Sequence, residues 1–230
     1  MVATLWHWWA HSDAGLATRI ALGASFFVIL ALWDLKRHGR QARRWREYLF
    51  LLAAVGGAMA YGVVNDQITV TLSWEYFYWG KELAPALGPD TPPAPLPLRW
   101  EAAKVGMKAT WTAGLLIGAA MLMANSVHRD KKFLAGRELY KLLACTLIWT
   151  IALATLGGLA GRLGAFNRLG EFAYLRQHDM WRPIRFMSVW GIHLGAYTGG
   201  AMGTVWAVWR IWKERVALTL GDAAKPPEQV

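Results

Sequence analysis

The sequence predicts an all-α integral membrane protein, a bundle of about five transmembrane helices with a short interfacial helix on its outer face. Three observations carry this. Hydrophobic residues form 55% of the 230 residues and charged residues only 17%, against roughly 25% charged in soluble domains. Five stretches approach the about 20 apolar residues that a helix needs to cross hydrocarbon. Tryptophan occurs fifteen times, and its ring concentrates where an apolar interior meets wet headgroups.

The expected spans are residues 17–35, 48–64, 109–124, 142–161 and 186–209, and residues 1–220 form a single transmembrane domain. The first run is short and Asp34 ends it. A cleaved signal peptide is the rival there, but no basic segment precedes Arg19 and no A-x-A site follows, so it reads as a retained helix. The tail 221–230, with Pro226 and Pro227, has little to bury and is expected to fray.

Charge orients the bundle. Lys36, Arg37, Arg40, Arg43, Arg44 and Arg46 lie between the first two spans. Arg129, Lys131, Lys132, Arg137 and Lys141 lie between the third and fourth, and Arg210, Lys213 and Arg215 follow the fifth. The positive-inside rule makes this side cytoplasmic, which puts the N-terminus outside and the C-terminus inside a bacterial inner membrane. Arg162, Arg168, Arg176, Arg182 and Arg185 fall on the opposite side and resist this orientation. The formal charge of +10 is explained by anionic lipid, since the basic residues flank apolar runs. The expected partners are the bilayer and other membrane protein subunits, and no nucleic acid. A lone cysteine, Cys145, excludes an internal disulfide and reads as a small buried hydrophobe.

Lipid tails are as apolar as leucine, so spans associate through close backbone approach and polar contacts. Gly191, Gly195, Gly199 and Gly203 repeat every four residues along the fifth span, which predicts a tightly packed, central helix. Gly157 and Gly161 repeat so in the fourth span, and Gly114 and Gly118 in the third. At 100° per residue a second stripe on the fifth span, His193, Tyr197, Gly200 and Thr204, lies far round from those glycines. An intramembrane histidine is either satisfied by a neighbour, Tyr197 or a carbonyl, or marks a site.

After the second span, Ile68–Thr71 is a β-branched run that predicts an extended or broken exit. Ser73 then caps a short helix whose aromatics, Trp74, Tyr76, Phe77, Tyr78 and Trp79, suit the headgroup zone. Residues 85–97 contain six prolines and predict a rigid extended linker. Lys104 and Lys108 start the third span on one face. They can pair with Glu75 or Glu101, but snorkelling to headgroups is the expected role.

The pattern D-Q-I-T-x5-E-Y-F at residues 66–77 resembles an uncharacterised family of small bacterial polytopic membrane proteins. Trp100-Glu101-Ala102 with Lys104, Ala109-Thr110-Trp111, His178-Asp179 and His193-x-x-x-Tyr197-x-Gly199-Gly200 are similar to it as well, over roughly residues 61–203. Many members of that family carry proline where this chain has Trp74. The resemblance implies an architecture and points at positions, and it carries no activity.

The candidate polar site is Asp66, Glu75, Tyr76, His178, Asp179, His193 and Tyr197. Carboxylates and histidines are metal ligands and parts of proton relays, so Asp66, Glu75, His178, Asp179 and His193 are also the candidate ligands. Which cofactor, if any, the chain takes is not written in these residues. Asp66 and Glu75 project from opposite sides of any continuous helix or strand, so they converge only if the chain breaks between them. No Glu-x-x-His pair, H-E-x-x-H, Walker loop, dinucleotide fingerprint or hydrolase signature occurs. The expected function is a structural, assembly or accessory subunit of a membrane complex. The alternatives are a membrane enzyme or metal-binding protein with a carboxylate–histidine site at the outer face, and a small transporter.

Overall fold

Each apolar run becomes a helix longer than its apolar core. The computed structural model describes residues 12–39, 42, 44–126, 132–166, 168 and 183–223, and within them all regular structure is helical. In chain order these are α1 (Asp13–His38), α2 (Arg44–Leu72), a one-turn π-helix (Tyr76–Gly80), α3 (Ala84–Leu87), α4 (Pro95–Ser126), α5 (Gly136–Arg162) and α6 (Pro183–Ala223). Among the described residues, four helices are long and apolar enough to cross a membrane: α1, α2, α4 and α5. The protein is membrane-embedded in character. The helix expected as a fifth span, α6, is not among the four: its glycines, tryptophans, His193 and Tyr197 dilute its apolar content.

Local chemistry sets the ends. Ser12 Oγ accepts the Gly15 N–H at 2.9 Å and caps α1. Asp34 does not end that helix but lies buried within its last turns, where it serves the next one. Its Oδ2 accepts the N–H groups of Arg44 and Trp45 at 2.9 and 3.2 Å, two of the donors that the start of α2 leaves open. The run Ile68–Thr71 is helical and not extended. Thr69 and Val70 are buried, and the Thr69 and Thr71 hydroxyls donate to the carbonyls of Asn65 and Gln67, each at 2.9 Å. Packing and back-bonding outweigh the β preference there. The helix breaks at Ser73, whose Oγ accepts the Tyr76 N–H at 3.3 Å. The proline segment is also not wholly extended. Ala84–Leu87 forms a helical turn, and Pro95 and Pro97 sit in the first turn of α4, where no intrahelical N–H is required.

The helices associate as two antiparallel pairs. On α2 and α4, a Cβ at Gly106 would lie 2.5 Å from the Gly62 carbonyl oxygen, and one at Gly114 would lie 2.6 Å from that of Ala54. On α5 and α6, a Cβ at Gly191 or Gly195 would run into the carbonyls of Gly157 or Leu153. One at Gly199 would lie 2.5 Å from the Trp149 oxygen, and one at Gly203 3.0 Å from Thr146. All four glycines of α6 therefore face α5, and backbone meets backbone along the seam.

The pairs meet each other at their ends. Tyr76, Phe77, Leu98, Phe186 and Val189 form a buried cluster at one end. Phe50, Met121, Leu142, Ala207 and Ile211 form another at the opposite end. Near the latter, Arg215 is 1% exposed and donates to the carbonyls of Ala124 and Lys132 at 2.8 and 3.0 Å, which ties α6 to the α4–α5 connection. Helix α1 lies against α2. Asp13 at its start accepts from Lys104 and Lys108 at 2.7 and 2.6 Å, and Lys104 also meets Glu101 at 2.6 Å. These lysines are ion-paired to α1 and Glu101 and do not simply snorkel, because α1 brings a carboxylate to their face.

Candidate functional site

Between the two apolar ends the helix pairs separate and enclose a cavity of about 810 Å³, within the range of small-molecule sites. Its walls are built from small residues. Ala53, Gly57, Tyr61 and Asn65, one turn apart on α2, all line it, and so do His193, Tyr197, Gly200 and Thr204 on α6. The second stripe of α6 thus faces the void, while its glycine stripe grips α5. Three of the lining threonines are satisfied within their own helices: Thr110, Thr150 and Thr204 donate to Gly106, Thr146 and Gly200 at 2.8, 2.9 and 2.6 Å. Their hydroxyl donors are therefore already in use.

Uncommitted polarity gathers at one end. Asp66, 3% exposed, lies about two turns before Ser73 breaks the chain away from α2, and its Oδ1 accepts from Asn65 Nδ2 at 3.3 Å. His193 Nε2 stands 3.7 Å from that oxygen, beyond hydrogen-bond reach. The His193 side chain is 9% exposed, and among the described residues its Nε2 has no hydrogen-bond partner. Of the two readings of this histidine, satisfaction by Tyr197 or a carbonyl is therefore not seen at Nε2. Tyr61 Oη, which also lines the cavity, and Arg210 Nε are the other buried side-chain atoms without a partner among the described residues.

The π-helical turn supplies the lid of this end. Tyr76 stacks on the imidazole of His193, with ring centres 4.9 Å apart and planes 12° apart, and Phe77 meets its edge at 6.2 Å. Lys81 Nζ lies 5.5 Å from the centre of the Tyr76 ring, and the residue lines the cavity. Burial holds the Lys81 ammonium below the usual lysine range, and the Asp66 carboxylate opposes that shift. Burial pushes the Tyr76 phenol up, and Tyr197 and Asp66 push the same way.

No family model, curated protein or solved structure matches this chain.

The site's chemistry is read from its own geometry. Of the expected polar set, Asp66, Tyr76, His193 and Tyr197 come together around one end of the cavity. Glu75 is buried at the head of the π-helical turn and does not line the cavity. His178 and Asp179 lie outside the described residues. Among the described residues no three His, Cys, Asp or Glu side chains gather in a way that could hold a metal ion. Lys81, Tyr61 and Asn65 were not expected. The four-residue step of Tyr61 and Asn65, continuing Ala53 and Gly57, was the available signal for two of them. For Lys81 there was none, because only the π-helical turn folds it back over α2.

A carboxylate, an ammonium, two phenols and an imidazole at the end of an apolar void can bind a polar head by hydrogen bonds. They can also hold or pass a proton between Asp66 and His193 across a bound group.

Proposed function

We propose that this chain is a five-span protein of the bacterial inner membrane that binds a hydrophobic or amphiphilic small molecule between its two helix pairs. One observation carries the reading: a nine-tenths buried histidine, its Nε2 unpartnered among the described residues and beside a buried carboxylate, at the wall of a cavity of about 810 Å³. Buried polar groups are nearly always satisfied, and a polar atom left open beside a cavity is where a ligand completes the bonding. An assembly or accessory subunit needs no such interior space, so binding takes precedence over that expectation, and acid–base chemistry on the bound molecule is its natural extension.

The fifth span in this reading is α6. Its support is the backbone contact with α5 from Met187 to Gly203, which leaves a single body once α5 crosses the membrane. The N-terminus lies outside and the C-terminus in the cytoplasm, as the three basic clusters favour. The polar end of the cavity and the aromatic π-helical turn then sit at the outer headgroup boundary.

The test is solvent extraction and mass spectrometry of purified protein, beside a Gly57→Trp variant. A Cβ at Gly57 meets nothing within 4 Å, so tryptophan can project into the void without moving backbone. A compound enriched over bulk membrane lipid in the native protein and lost from a folded variant is the expected result. Equal profiles in both samples would reject the binding function.

A further inference from the structure

We propose that the ligand is a long-chain amphiphile with an uncharged, hydroxyl-bearing head, which enters sideways from the lipid acyl region. This rests on the binding function above and names its ligand class.

The shape gives the tail. On α2 the lining runs from Ala53 to Asp66, about 20 Å of helix. On α4 it runs from Val105 to Ala120, again about 20 Å. The void is long and mostly apolar, with its charged side chains at one end only, which suits one extended chain lying along the helices. Its mouth faces lipid: the lining residues Leu116, Val205, Tyr197 and Leu147 are 70%, 70%, 52% and 40% exposed. A ligand dissolved in the bilayer reaches such a site without crossing water.

The charges give the head. Asp66 and Lys81 lie on the same end, one of each sign, with neutral hydrogen-bonding groups between them. An anionic head would meet the Asp66 carboxylate with only Lys81 to balance both. A cationic head would meet Lys81 with only Asp66. Either leaves a net charge in a water-poor site, which is expensive. A carbonyl or ester accepts only, and leaves the carboxylate with no donor beyond the long contact from Asn65. A hydroxyl both donates and accepts. It can donate to Asp66 Oδ1 while accepting from Tyr61 Oη or from an Nε2–H tautomer of His193, and so it gives a partner to one of the two lining atoms that have none among the described residues.

The experiment measures binding of radiolabelled 1-hexadecanol, geranylgeraniol, palmitate and hexadecylamine to the full chain in phosphatidylcholine nanodiscs. Saturable binding of one alcohol, whichever tail the cavity prefers, is expected at about one per protein. Palmitate and hexadecylamine should bind at least about tenfold more weakly, the size of one lost charge-compatible contact. Asp66→Asn should erase the discrimination against palmitate, an effect that a purely structural aspartate would not produce, and Gly57→Trp should abolish binding of every probe. Palmitate or hexadecylamine binding as tightly as the alcohols would overturn the head assignment and leave the cavity function standing. No saturable, Gly57→Trp-sensitive binding of any probe would overturn both.

Discussion

At the scale of a residue, His193 and Asp34 show how a buried polar side chain left open differs from one that is satisfied. His193 is buried and sandwiched by Tyr76, yet its Nε2 is open. An open buried donor or acceptor costs about 1–3 kcal/mol. His193→Phe keeps a flat ring against Tyr76 and removes that atom, so its melting temperature should equal or exceed that of the native protein while ligand binding is lost. A large drop in melting temperature would mean that the imidazole is a structural group. Asp34 is the contrast. It closes two N–H groups at the start of α2, and Asp34→Ala should destabilise the protein by about 1–2 kcal/mol, measured by chemical denaturation in detergent. No loss would mean that water replaces the cap.

At the scale of elements, the two helix pairs are held by backbone approach. A Cβ at Gly195 would strike the Leu153 carbonyl, whereas one at Gly23 on α1 meets nothing within 4 Å. Gly195→Ala must push α5 and α6 apart and should cost about 1–3 kcal/mol, as overpacking does. Gly23→Ala should be neutral or stabilise by up to about 1 kcal/mol through helix propensity. Thermal unfolding of both variants checks the pair, and equal effects would mean that the seam is not closely packed. The π-helical turn is the other element with a role beyond span-building. By breaking the helix at Ser73 it brings Tyr76 and Lys81 over Asp66 and His193, the return that a straight α2 would preclude. Such π segments often occur at functional sites.

The whole molecule is two zipped pairs bracketing a void, closed at both ends by apolar clusters and, at one end, by buried Arg215. At 41 residues, α6 is about 60 Å long, twice the hydrocarbon thickness. In the five-span reading its final turns, with Arg210, Lys213 and Arg215, therefore extend well past the apolar layer. The orientation is testable with a membrane-impermeant maleimide in intact cells, after Cys145→Ser removes the lone native thiol. Leu96→Cys, at a position 79% exposed in the first turn of α4, should react, and Arg137→Cys at the start of α5 should react only after permeabilisation. The reverse pattern would invert the topology, and equal labelling would mean that α4 does not span.

Much of this was legible in the chain because it depends on local order. Run length and composition marked the apolar helices, and the four-residue step of glycines on α6, with the opposite stripe of His193 and Tyr197, defined two faces before any partner was known. Other readings failed where tertiary contact overrode a local preference: Ile68–Thr71 became helical under packing and back-bonding, and Lys104 and Lys108 found Asp13. Only the tertiary structure decided that α2 pairs with α4 and α5 with α6, and a cavity is a property of that pairing. It alone placed His193 beside Asp66 and left its Nε2 open, because hydrogen-bond satisfaction depends on which atoms from distant helices arrive within about 3 Å, and no spacing along one helix contains that information.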